Sequence, residues 1–461
     1  MLIFFISLYL IGTILIGWWM SRRIQSTSDF VNAGRNLPLF VAASTFFATW
    51  FGSETVLGAS AEFVEHGFLG IIEDPFGSAL CFFLVGFFFA RPLYQLNILT
   101  FNDFFKIRFN RTIEFASTVL MIPSYIGWIA AQLLALAILL NALVDLPIFY
   151  GIMVCTLAVV VYTYFGGMWA VSITSSIQTV LIIVGLLIVA ISLYRQLEAP
   201  EQLVTGLPEN FFQFLPNRDI HSVVDYLAAW MVIGLGSIPQ QVIFQRVVSA
   251  DSAKTAVQAA HLGGLMYLTV AMVPLFIALC SRALFPELQS ENTQLILPLT
   301  ILNHSPLFVQ ILFFGALLSA ILSTASGGIL APATVVGKNI IQPFYPTISD
   351  EQLLRIMRLS VIGIAFASML MAFSSDSIFE LVAQSSIISL VSLFVPLTAG
   401  LYWKRANNMG ALLSMVAGMI VWLYFEWVGS AIPSLIWGLL ASVLGMVLGS
   451  LVQPFKRNAN S

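Results

Sequence analysis

The sequence predicts an all-α integral membrane protein of about 13 transmembrane helices, two of them broken at corresponding places in two five-helix halves. Three observations predict it. First, 59% of the 461 residues are hydrophobic and only 9% are charged, against roughly 25% charged in soluble chains. Second, the apolar residues fall in long runs, each near or above the roughly 20 residues that cross a bilayer. Third, two of those runs are interrupted by Gly, Pro and polar residues. A water-facing surface cannot be built from this composition, which excludes soluble enzymes, nucleic-acid binders and disordered chains. The net charge of −3 offers no polybasic face. The three cysteines, Cys81, Cys155 and Cys280, all sit inside apolar runs and make no disulfide framework.

The runs lie at about 2–20, 38–64, 71–93, 113–143, 148–165, 170–194, 223–245, 256–284, 307–336, 354–373, 378–402, 410–428 and 433–452, with ends good to a few residues. No positive residue precedes the first, and Ser21-Arg22-Arg23 follow it, the reverse of a cleaved signal. It therefore reads as a retained span with its N-terminus outside. Counting alternate loops from there places all but Arg195, Arg218 and Arg282 of the 19 Lys and Arg residues on the cytoplasmic side. That asymmetry is the positive-inside pattern, and one missed span would destroy it. The loop at 195–222 divides the chain. A leading helix and loop (1–37) precede one half (38–194), the other half is 223–402, and two trailing helices and a tail (403–461) follow. "FGGMWAV" reads as a tight turn joining two spans.

A helix in lipid must satisfy its own backbone, so a break is tolerated only where it lines a cavity or is buried in protein. The second span reads Ala48-Thr49-Trp50-Phe51-Gly52-Ser53-Glu54, and the seventh reads Gly234-Leu235-Gly236-Ser237-Ile238-Pro239-Gln240-Gln241. Each opens one half. Paired interruptions of this kind point to a transport site at the bilayer midplane, although Gly and Pro also serve close helix packing. In the ninth span Ala320, Ser323 and Thr324 share one helix face at i, i+3, i+4. That face is either a small-residue packing stripe or a set of oxygen donors for a small hard cation.

Taken together these stretches resemble the sodium:solute symporter family over nearly the whole chain. The resemblance rests on "ATWFGSETVLGASAE", "YTYFGGMWAVSITSSIQ", "SAILSTASGG" and, most specifically, "GLYWKRANNMGALLSMVAGM" at 400–419. "GSIPQQVIFQRVVSADSA" is most similar to the choline-transporter-like and related bacterial branches. The resemblance implies an amino-acid-transporter-like fold of two inverted five-helix repeats, with one helix before and two after. It also implies a sodium ion held by the carbonyls of Ala48, Phe51 and Ala320 and the hydroxyls of Ser323 and Thr324. Two positions depart from the family. Ser175 stands where many members carry an Asp linked to a second sodium. Of the aromatic cage that holds choline by cation–π attraction, only Trp50 remains; Gln240, Ser78 and Ala131 replace the others.

Ionisable residues within spans are functional candidates by default. Glu54 either pairs with a substrate ammonium or satisfies freed amides. Asp74, beside Pro75, either faces the cavity or caps a helix. Trp128 and Gln132, at i, i+4, offer an apolar wall and a polar handle, or simply pack. Gln240 and Gln241 follow the second break. His66, His221, His261 and His304 lack metal-ligand spacing, and no nucleotide-binding loop is present. The expectation is a non-enzymatic, multi-pass symporter in the cell membrane, a bacterial inner membrane, with its C-terminus in the cytoplasm. It would import a small organic solute (an amino acid, a choline-like cation or another polar molecule) on the sodium gradient. A proton-coupled symporter of the same fold, using Glu54 or Asp74, and a non-transporting solute sensor are the alternatives. No nucleic-acid partner is expected.

Overall fold

The computed structural model describes residues 26–290 and 293–452, together with scattered positions before residue 23. The expected first span at about 2–20 is therefore described only in part, and Arg23, Glu291, Lys456 and Arg457 lie outside the described residues. Among the described residues the regular structure is all helical, apart from one isolated bridge pairing Leu37 with Ala250.

In chain order the helices are α1 (Thr27–Asn32), α2 (Leu39–Phe47), α3 (Ser60–Gly70), α4 (Ile72–Gln95), α5 (Phe101–Arg108), α6 (Arg111–Val144), α7 (Ile148–Tyr194), α8 (Ile220–Gly236), α9 (Gln241–Ser249), α10 (Ala253–Leu284), α11 (Ile296–His304), α12 (Leu307–Phe344), α13 (Asp350–Ala372), α14 (Ile378–Tyr402), α15 (Asn408–Val428) and α16 (Ser434–Val452). Nine helices among the described residues are long and apolar enough to cross a membrane, or ten if the bent pair α8 and α9 counts as one. That is fewer than 13, because the broken second span and the short apolar helix Ile148–Tyr164 fall below this length and the first span is described only in part.

Helix α7 keeps helical backbone across the expected turn. The chain nevertheless doubles back there. Tyr162 and Thr174 would lie about 18 Å apart along a straight helix, yet their hydroxyls are 2.7 Å apart. Both breaks appear at their expected positions. Helix α2 ends at Phe47, and a wide π-type turn over Ser53–Ala59 leads into α3. Between α8 and α9 the axis bends by 51°, with Pro239 removing a donor inside the gap.

The long helix α12 is buried from Phe313 to Val335 and packs on α6 and α7. The outermost helices show the opposite pattern. Phe366, Leu370, Ile420 and Leu444 are more than half exposed, as expected of side chains that face lipid. The loop at 195–222 lies across the end of α3, where the Phe68 amide donates to the Phe211 carbonyl at 3.0 Å. The trailing helices α15 and α16 approach closely through small residues. A Cβ on Gly418 would stand 1.9 Å from the Val391 carbonyl oxygen in α14. Gly418→Ala is therefore expected to destabilise the protein by about 1–3 kcal/mol, measured as a lower unfolding temperature in detergent. An unchanged temperature would mean that α14 and α15 are not held at this distance.

One residue departs from the topological reading. Arg246 counts among the cytoplasmic loop cations by sequence, but it lies inside α9 and is only 2% exposed. The seventh span ends later than the apolar run suggests, so this guanidinium is an interior group.

Candidate functional site

The break in the second span leaves main-chain acceptors free. Among the described residues no backbone amide donates to the carbonyls of Ala48, Thr49, Trp50 or Phe51. Buried carbonyls left in that state need another partner. One is supplied from 276 residues away, where the Thr324 hydroxyl donates to the Ala48 carbonyl at 3.0 Å. Ser323 and Ala320 occupy the same face of α12, and all three are nearly fully buried. Ser323 Oγ lies 3.0 Å from Ser175 Oγ, so Ser175 touches this cluster. One turn away, Gln178 donates to Ser319 at 2.5 Å. The donor set is entirely oxygen, the set a hard monovalent cation prefers.

Glu54 stands just past the break and is 1% exposed. Its Oε1 accepts from the Trp128 indole N–H and from Gln132 Nε2 (2.9 Å). Ser53 donates to Gln132 Oε1 at 2.6 Å, which fixes the amide orientation. Glu54 Oε2 has no hydrogen-bond partner among the described residues. Leaving such an oxygen buried and unmatched is expensive. Asp74 lies in an adjacent network and is also 1% exposed. Its oxygens lie within hydrogen-bonding distance of the hydroxyls of Thr55 (2.8 Å), Ser78 (2.6 Å) and Tyr267 (2.8 Å); Thr55 and Tyr267 also lie close to each other, and their two protons are shared among their contacts with Asp74 and with one another. Tyr267 of the Asp74 network also belongs to the aromatic group in which Trp50 stacks on Phe82 at 4.7 Å and meets Tyr267 edge-on at 6.5 Å.

The remaining expected residues lie elsewhere. Gln240 is buried at the start of α9 and makes no capping bond. Gln241 turns toward α5, where its Oε1 accepts from the Phe101 amide at 2.6 Å and Nε2 has no partner among the described residues. Asp74 makes no capping bond to a helix amide and is bound by hydroxyls instead. Sequence reasoning missed Ser53, Thr55, Tyr267 and Arg246. Only Arg246 carried a detectable signal, a charge next to an apolar run. Single hydroxyls within apolar helices are too common to stand out.

Comparison with known proteins gives a consistent result. The family model described as "Sodium:solute symporter family" matches residues 30–418. The high affinity choline transporter 1 of Homo sapiens is 27% identical over 91% of this chain and 76% of its own length. The sodium/sialic acid symporter NanT of Aliivibrio fischeri is 25% identical, covering 98% of this chain and 93% of its own. The osmoregulated proline transporter OpuE of Bacillus subtilis is 25% identical, covering 97% and 93%. A solved structure of a Na⁺-coupled sialic acid symporter, in a substrate-bound outward-open state, superposes with a TM-score of 0.86 over 99% of each chain at 19% identity. That likeness is one of fold.

Proposed function

The chain belongs to the sodium:solute symporter family and imports a small organic solute on the sodium gradient, and from that premise we propose where the two cargoes bind. Sodium takes the carbonyls of Ala48, Phe51 and Ala320 and the hydroxyls of Ser323 and Thr324. The observation that carries this reading is the 3.0 Å contact between Thr324 Oγ1 and the Ala48 carbonyl. It joins the freed carbonyls of one half to the hydroxyl face of the other. A cation held there favours one arrangement of the two halves, which is how an ion gradient is tied to alternating access. Each sodium moving inward releases about 2.3 kcal/mol per 100 mV, and a tenfold gradient adds about 1.4 kcal/mol. One ion therefore supports accumulation of a neutral solute by several hundredfold.

The solute is assigned to Trp50, Glu54, Trp128, Gln132 and Gln240, with Asp74 and Gln241 shaping the surroundings. Glu54 and Asp74 are buried, and neither is ion-paired among the described residues; the two ion pairs found there lie elsewhere. Glu54 Oε2 awaits a donor. A primary or secondary ammonium fits, because it brings both positive charge and an N–H. A quaternary cation brings no N–H, and the aromatic cage it needs is reduced to Trp50. A small amine or amino acid is thus the favoured class. The chain sits in the cell membrane, with the Lys- and Arg-rich loops placed in the cytoplasm and residues 38–194 and 223–402 taken as the inverted halves.

A thermal-shift screen of amines, amino acids, choline and sugars, run in sodium and in potassium, tests this directly. An amine-bearing solute at about 100 times its Kd is expected to stabilise by about 2.7 kcal/mol in sodium and far less in potassium. Equal stabilisation in both salts would remove the coupling, and stabilisation by choline alone would remove the amine.

A further inference from the structure

Arg246 is a buried ionisable group that the sodium and solute sites leave unused. Its Nε donates to Thr49 Oγ1 at 3.4 Å and its Nη1 to Met168 Sδ at 3.0 Å. Its Nη2 occupies the space above Gly327, where a Cβ would stand 2.9 Å from it. The only ion pairs among the described residues are His66–Glu62 and Arg355–Glu351, so no carboxylate neutralises this guanidinium. An uncompensated interior charge is costly to keep, and the cost calls for a role.

Its position supplies one. Thr49 follows Ala48 directly, and Gly327 lies three residues beyond Thr324, about 4.5 Å along α12. The guanidinium, carried on α9, is thus wedged between the break in the second span and α12, about one turn past the sodium position. Helix α12 continues from there to Asn339, which bonds Thr100 at the start of α5. Helix α9 continues to Ala250, which pairs with Leu37. Both lead to the face that carries the Lys- and Arg-rich loops.

We propose that Arg246 is a coupling residue, a fixed positive charge that blocks the path of bound sodium toward the cytoplasmic face until the broken helices rearrange with solute. A cation leaving Thr324 in that direction meets the guanidinium head-on, and at short range in a poorly hydrated path like-charge repulsion is strong. Gly327 provides the room, since any side chain there displaces the guanidinium. The inference rests on placing sodium at Ala48 and Thr324.

The test is entry of radioactive sodium into liposomes holding the full-length protein, with a negative-inside potential and no solute. R246Q is expected to admit sodium about tenfold faster than the parent, the scale set by removing one interior charge. R246K is expected to return the leak to within about twofold of the parent, because charge rather than shape forms the barrier. Should R246Q not yield a monodisperse protein, G327A carries the same expectation by pushing the guanidinium aside. A parental leak in the substituted protein, or an R246K leak equal to that of R246Q, overturns the proposal. Sodium half-saturation of solute uptake separates the two readings. If S323A/T324A leaves it unchanged, the sodium placement fails and the barrier with it. If that variant raises it while R246Q stays tight, the barrier alone fails.

Discussion

Replacing Ser323 and Thr324 together by alanine is expected to raise the sodium concentration for half-maximal uptake by about tenfold to hundredfold, since hydrogen bonds and contacts to a charged partner are worth about 1.5–3 kcal/mol. Thr324 is the more informative of the two. Its hydroxyl already touches the Ala48 carbonyl, so the oxygen is held beside the freed main chain before any ion arrives. Ser323 is steadied by Ser175. Such preorganisation reduces the ordering that binding must pay for. The double substitution removes two small polar groups from a buried face and adds no bulk, so a folded protein is expected. Reciprocity gives a second readout, because a solute that binds more tightly with sodium must itself tighten sodium, and both effects should shrink together. Uptake with unchanged sodium affinity would refute the site.

The second large effect concerns Glu54. Glu54→Gln is expected to weaken solute binding by about tenfold to hundredfold, the value of a charged hydrogen bond, seen as a raised half-saturation for uptake. The amide is a clean replacement here. Its carbonyl oxygen can take over Oε1 and keep accepting from Trp128 and Gln132. Its NH₂ then falls at Oε2, which had no partner to lose. The network survives while the one free acceptor becomes a donor and the charge disappears. A solute ammonium loses its counterion; a solute recognised only through its carboxylate would gain. Unchanged or tighter binding would therefore exclude the amine.

Much of this was legible in the sequence, for identifiable reasons. Spans can be read because lipid demands long apolar runs, and the breaks at 48–52 and 237–240 because Gly, Pro and polar residues stand out against such runs. The grouping of Glu54 with Trp128 and Gln132 was half visible: each residue was a candidate, but their joining across 74 and 78 positions depends on how α6 leans on the break. Asp74 shows the limit more clearly. Pro75 suggested a cap, whereas Thr55, Ser78 and Tyr267, from three parts of the chain, enclose the carboxylate. Arg246 was misplaced because a charge ends an apolar run on paper. In three dimensions α9 runs on past Arg246 to Ser249, and Thr49, Met168 and Gly327 surround the guanidinium.

The pairing of Leu37 with Ala250 has a mechanical consequence. Leu37 donates to the Ser249 carbonyl at 2.9 Å and accepts from the Asp251 amide at 3.0 Å, just before α2 begins and just after α9 ends. The lower limbs of the two kinked helices are thereby yoked at their base. A rocking motion can swing them as a single leaf, but prising one from the other must first tear two main-chain bonds, so the yoke itself forms part of the latch on that side.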